Sequence, residues 1–259
     1  MTVSQRINAI DGRQPERLSS LAMQTRIDHL IIGAATLEQG ATFVEETLGV
    51  AIPYGGVHEK MGTHNRLTQL GGEVYLEVIA INPDGEPPEF PRWCGLDDPH
   101  VNRQLMKQPT LLTWVVNTND IEKLLRQAVF SFGRSRPLSR GHLSWYFGLP
   151  DDGRLLAGGM LPYVIEWRTD SHPSTNMADA GCRFRGLEIH HPYPSWLRSV
   201  LESIGAAELV GIHPLQKNRS PYLVAHFETP AGPKDLRSDT GLAERTSPGG
   251  RTADRTGLI

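Results

Sequence analysis

Residues 58–79, HEKMGTHNRLTQLGGEVYLEVI, hold the residue types from which proton-transfer or metal chemistry is built. Two histidines, an asparagine and an arginine precede a Gly-Gly pair, and a lone glutamate follows inside an apolar run. Glu77, between Leu76 and Val78, must face solvent or be held by cations, donors or a metal. If Gly71-Gly72 form a two-residue turn, Arg66 stands opposite Glu77 with His64 on the same face. A slip of one residue would exchange both for Asn65, because neighbours on a strand point to opposite faces. In the favoured register Glu77, Arg66 and His64 converge. The competing reading is an Arg–Glu pair on a solvated face.

His29 lies in RIDHLIIG, a run that after Arg26 is otherwise apolar apart from Asp28. An imidazole and a carboxylate from separate strands suit divalent zinc, nickel, iron or manganese. A second run, YVIEWRT, places Glu166 where Glu77 stands in the first, and His142 matches His64. The place matching His29 falls near Thr113, a poor ligand. His58, His190, His191, His213 and His226 remain as candidates. Trp145, with Tyr146, Phe147, Trp114 and Trp167, forms either core or the wall of an aromatic-substrate cavity. Nucleophile elbows, phosphate-cradling glycine loops, dinucleotide fingerprints and HExxH are all missing from the sequence.

The elements that must carry these residues repeat. A strand at 26–33 is followed by a helix capped by Thr36, with Leu37, Phe43, Val44 and Leu48 on its apolar face and Gly49 at its end. Strand-like runs then fill the first unit to residue 81. Residues 82–109 are proline-rich and read as a crossover with one helical turn over 99–106. A second unit spans 110–170: strand TLLTWVVNT, an Asp120-capped helix with Ile121, Leu124, Leu125 and Ala128 inward, then strands HLSWYFGL and LPYVIEWRT. A partial third strand–helix unit covers 186–229. Residues 1–25 read as a flexible arm and 231–259 as a disordered tail. The fold class is therefore α+β.

With 259 residues, 39% of them hydrophobic, the chain can bury a substantial core. A net charge of −3 gives no argument for nucleic-acid binding. Two distant cysteines, Cys94 and Cys182, argue against a disulfide framework. No stretch approaches the roughly 20 apolar residues of a membrane span, and the N-terminus lacks a signal-peptide core. The chain is expected to be soluble and cytoplasmic, with a small molecule as partner; a homodimer is compatible with the sequence.

The strand–helix–three-strand unit, its repetition, the Asp28-His29 pair and the in-strand glutamate of YLEVIA resemble the vicinal oxygen chelate superfamily. GVHEKMGTHNRL, the Gly-Cys before the third unit and IEWRTDSHPS resemble its glyoxalase-like domain family, over about residues 26–230. The resemblance implies tandem βαβββ modules forming a curved mixed sheet around a cavity. It also implies a divalent metal held by His29, Glu77 and Glu166, Thr113 departing from the usual ligand. The expected function is a metal-assisted lyase or isomerase acting on a small carbonyl or vicinal-oxygen substrate, with Glu77 or Glu166 as base and Arg66, His64 and Asn65 positioning the substrate. His58, Asn65, His142 and Trp145 would bind substrate. The alternatives are an extradiol-type ring-cleaving dioxygenase and a metal-free, drug-sequestering binding protein.

Overall fold

A computed structural model describes residues 23–238; most of the expected arm and the chain beyond residue 238 lie outside them. The first module runs β1 (Thr25–Gly33), α1 (Leu37–Leu48), β2 (Tyr54–His58), β3 (Thr63–Gln69) and β4 (Tyr75–Ile81). Helix α2 (Pro99–Leu105) lies in the crossover. The second module runs β5 (Thr110–Thr118), α3 (Ile121–Gln127), β6 (Arg134–Arg140), β7 (Leu143–Leu149) and β8 (Tyr163–Trp167). These strands form one eight-stranded sheet in the order β2-β3-β4-β1-β5-β8-β7-β6.

Each module pairs its first and last strands in parallel, β1 with β4 and β5 with β8. The modules join where β1 and β5 run antiparallel. β5 is buried along its whole length, which explains why TLLTWVVNT shows no apolar–polar alternation.

The capped helices start where the sequence says they should, but α3 stops at Gln127: Ala128, expected on its inward face, is already extended (φ −62°, ψ 131°). The Thr36 hydroxyl accepts from Gln39 N at 3.1 Å, and Gly49 ends α1 at φ 70°. Asp120 caps α3 by accepting from Lys123 N at 2.9 Å. α1 lies close on β4: a methyl at Gly40 would come within 2.3 Å of Val78 Cγ1.

A second sheet holds β9 (Arg183–His191), β10 (Gly211–Pro214), β11 (Tyr222–Thr229) and β12 (Gly232–Arg237), in the order β10-β9-β11-β12, with α4 (Pro194–Ser203) after β9. It docks on the first sheet through Phe184 N donating to Leu70 O at 2.9 Å and Thr110 Oγ1 donating to Ser238 O at 3.2 Å. One apolar core runs through both sheets.

Two strands lie where the sequence shows no strand pattern. β6, RSRPLSR, is polar and carries Pro137, which an edge strand tolerates because one side of it has no ladder to complete. β12 falls inside the expected tail and is held at the edge of the small sheet by β11.

Candidate functional site

The register of β3 against β4 differs from the two-residue-turn expectation by one position. Leu70 N donates to Val74 O at 2.9 Å, leaving Gly71, Gly72 and Glu73 outside the ladder. Gly71 and Gly72 both adopt the left-handed conformation, at φ 86° and 58°. Leu67 therefore stands opposite Glu77, and Arg66 opposite Val78. Asn65 comes to the Glu77 face, while His64 and Arg66 go to the other.

A cavity open at its mouth lies on the Glu77 face of the large sheet. Glu77 Oε1 accepts from Asn65 Nδ2 at 2.7 Å, and Oε2 lies 3.4 Å from His29 Nε2. On the far side of the ring, His29 Nδ1 donates to Asp28 Oδ1 at 2.5 Å. The β1–β5 pairing shifts between Ile27 and His29. That irregularity lets the consecutive residues Asp28 and His29 reach one network. Asp28 Oδ2 in turn accepts from Trp167 Nε1 at 2.8 Å, Asn117 Nδ2 at 3.0 Å and His172 Nε2 at 3.0 Å. His172 is oriented by Ser174, whose backbone N donates to Nδ1.

Burial opposes charge throughout this chain, and hydrogen bonding overrides it. Burial alone would lower the His29 pKa, but bonds to Asp28 and Glu77 lift it to about 9, so the ring is an imidazolium between two carboxylates. Burial would raise Glu77, yet the His29 hydrogen bond and charge bring it down to about 2. Asp28 is likewise held well below the usual carboxylate range, its hydrogen bonds from His172 and His29 outweighing burial. Tyr75 stacks on the His29 ring with centroids 4.4 Å apart, and burial pushes its hydroxyl well up.

His58 belongs to the same cavity but is neutral. Its Nδ1 bonds the Thr63 hydroxyl at 3.1 Å, and its Nε2 faces Arg140 Nη1 at 3.2 Å. Burial lowers its pKa to about 4. Trp93, Trp145, Phe147 and Trp167 complete an apolar wall, with Trp145 and Trp167 centroids 5.3 Å apart. Cys94 also lines the cavity, at φ 58°; its backbone N donates to Tyr163 Oη at 3.0 Å, and burial pushes its thiol well up. A thiol so placed is not a ready nucleophile.

Of the residues singled out in the sequence, His29, His58, Asn65, Glu77 and Trp145 meet in this cavity. His64 and Arg66 do not. Arg66 reaches toward α1, 3.7 Å from Glu38, and donates to Ile52 O. Glu166 is also elsewhere: its carboxylate accepts from Ile121 N at 2.9 Å at the start of α3 and pairs with Arg168 at 2.6 Å. His142 is exposed in the β6–β7 turn and lines an outer cleft.

The parallel registers explain the Glu166 outcome. Tyr75 stands opposite His29, and Tyr163 opposite Val115. Two residues on from those tyrosines come Glu77 and Ile165, and both line the cavity. Val115 and Ile165, not Thr113 and Glu166, thus occupy the places that correspond to His29 and Glu77.

The side chains present do not fit the implied metal site. Both Glu77 oxygens are engaged, Glu166 lies on the opposite face, and the Thr113 hydroxyl donates to Leu161 O at 3.4 Å. Among the described residues no group of three or more His, Cys, Asp or Glu side chains is arranged to hold a metal ion. His190, His213 and His226 gather instead around Glu188 on the outer face of the small sheet.

Asp28, His172, Arg140, Trp93 and Cys94 were not singled out as site residues. The Asp28-His29 pair was a usable signal, since adjacent polar residues in a buried strand call for a bulge or a shared partner. For Arg140, on an edge strand remote from Glu77 in sequence, there was none.

The sequence profile of a family described as "Glyoxalase-like domain" matches residues 27–205. Comparison with curated proteins gave no match. Among solved structures, a hypothetical protein from Staphylococcus aureus is 15% identical with a TM-score of 0.49, over 83% of this chain and 85% of that one. Methylmalonyl-CoA epimerase in complex with methylmalonyl-CoA and NH4+ is 20% identical with a TM-score of 0.36, over 57% and 99%. A 4-hydroxymandelate synthase mutant from Streptomyces coelicolor is 15% identical with a TM-score of 0.42, over 82% and 62%. At these scores none of the likenesses bears on the reaction. Among the described residues no helix is long and apolar enough to cross a membrane.

Proposed function

The chain belongs to the glyoxalase-like domain family, and on that premise we propose an enzyme of lyase or isomerase type that moves a proton beside the carbonyl of a small substrate. One observation carries the reading. The chain Asn65–Glu77–His29–Asp28 presents one carboxylate, that of Glu77, to an aromatic-walled cavity. Burying two carboxylates around one imidazolium is poor economy for stability alone, since desolvation opposes the Coulombic gain. Strongly shifted groups in a cleft are, by contrast, what proton transfer uses.

In this reading Glu77 exchanges the proton and Asn65 fixes its carboxylate. His29 holds the positive charge that steadies the pair, and Asp28 fixes the ring. Without ligand the His29 pairing makes Glu77 a weak base. A bound oxyanion that adds negative charge to the cavity raises its proton affinity as the substrate arrives. No step is assigned to a metal.

The aromatic wall favours a second reading, a small-molecule binding protein without turnover. Proton NMR in deuterium oxide, with a panel of small carbonyl compounds, separates the two. The enzyme exchanges a C–H beside the carbonyl of at least one compound, and Glu77→Gln abolishes that exchange. Binding without exchange in the wild type leaves only the binding reading.

A further inference from the structure

Arg140 stands where the two edges of the curled sheet approach each other. It ends β6, one edge strand, and reaches His58 on β2, the other. Nη1 donates to His58 Nε2 at 3.2 Å and to Asn65 Oδ1 at 3.0 Å, both neutral acceptors. Among the described residues Nε and Nη2 have no hydrogen-bond partner, and no carboxylate forms an ion pair with this guanidinium. Gly56, at φ 150°, makes room for the side chain: a methyl there would lie 3.3 Å from Arg140 Cδ.

The residue also sits in a throat. Arg140, Leu67 and Pro173 line both the inner cavity and an outer cleft. Of the charged groups lining the inner cavity, His29 is paired with Glu77 and, behind its ring, with Asp28, whereas Arg140 has no carboxylate partner among the described residues. A guanidinium with free donors in a partly enclosed passage is a receptor for a planar anion, which it can grip through two parallel N–H bonds.

We propose that Arg140 anchors the carboxylate of a small monoanionic ligand, whose apolar body lies among Trp93, Trp145 and Trp167. Asn65 links this anchor to Glu77, accepting from one and donating to the other. A carboxylate on Arg140 therefore brings the adjacent carbon of the ligand toward Glu77. The assignment rests on reading this cavity as the active site, and it gives the substrate class as a carboxylic acid.

Titration calorimetry with matched acid and amide pairs, propanoate with propanamide and phenylacetate with phenylacetamide, tests the anchor independently of turnover. The full-length wild type is expected to bind at least one acid about tenfold or more tightly than its amide, the range of a charge-assisted hydrogen bond. Arg140→Gln abolishes the preference, while Arg136→Gln, on the same strand, keeps it. Should Arg140→Gln not fold, Arg140→Lys carries the test: the charge stays, the planar fork goes, and the preference falls several-fold. A wild type that binds amides as tightly as acids, or binds neither, overturns the proposal, as does an unchanged preference in the folded Arg140 variant. Acid preference without C–H exchange sinks only the enzymatic reading. Exchange without acid preference sinks only the anchor.

Discussion

Arg140 Nη1 lies 3.2 Å from His58 Nε2, and the two residues belong to opposite edge strands of the eight-stranded sheet. Because the guanidinium can only donate, His58 Nε2 must present its lone pair, which leaves the proton on Nδ1 for the Thr63 hydroxyl. The bond that spans the mouth of the sheet thus requires a neutral His58.

Stability should accordingly peak near pH 6.5. His58 falls from 6.5 to about 4 in the folded chain. A histidine lowered by folding stabilises fully above its unfolded value and loses that contribution as pH falls through the folded one. His29 rises from 6.5 to about 9, so its contribution is complete below 6.5 and is lost as pH climbs toward 9. Glu77, lowered from 4.5 to about 2, adds a further loss below pH 4.5. Melting temperatures measured across this range should fall on both sides. His58→Gln should flatten the limb between pH 6.5 and 4.5; an unchanged acid slope refutes the assignment.

His29 owes part of its raised pKa to Glu77. In Glu77→Gln the ring keeps Asp28 but loses one carboxylate, so its titration, followed by NMR of the imidazole nitrogens, should move below about 9. A value that stays in place would mean that Asp28 alone sets the charge on the ring.

Glu166→Gln tests the assignment of that carboxylate to the fold. Its oxygens bond Ile121 N and Arg168. Losing charge there should cost about 1 kcal/mol in denaturant unfolding, as removal of a helix-start acceptor does. Ligand affinity and C–H exchange should be unaffected. A large loss of either would return Glu166 to the active site.

Gly153 supports the cavity wall from behind. It sits at φ 65°, accepts from Gly95 N at 2.8 Å, and a methyl on it would lie 2.0 Å from Arg92 O, one residue before Trp93. Gly153→Ala should destabilise the protein by about 2 kcal/mol or more, since left-handed strain and a backbone clash add. It should also weaken ligand binding by displacing Trp93 and Cys94. Normal stability by urea titration would show that the loop yields easily.

The βαβββ repeat was legible because its signals are local. Caps at Thr36 and Asp120, the Gly49 stop and the apolar runs of β1, β4 and β5 depend on residues close in sequence, and each formed as expected. The polar edge strands β6 and β12 were not legible. An edge strand needs neither an apolar face nor a full ladder, and it exists because a neighbouring strand is there to pair with.

For the site, the sequence by itself determined that Glu77 and His29 are unusual, because a carboxylate and an imidazole inside apolar strands require partners wherever those strands are placed. Which partners they have was a tertiary decision. Strand side chains alternate with a period of two, so one residue in the Gly71–Glu73 turn was enough to send Arg66 and His64 outward and bring Asn65 to Glu77. One residue in β8 likewise put Ile165 rather than Glu166 into the cavity. Arg140 arrives only because the sheet curls until its edges approach, and a sequence read strand by strand contains no measure of that curvature.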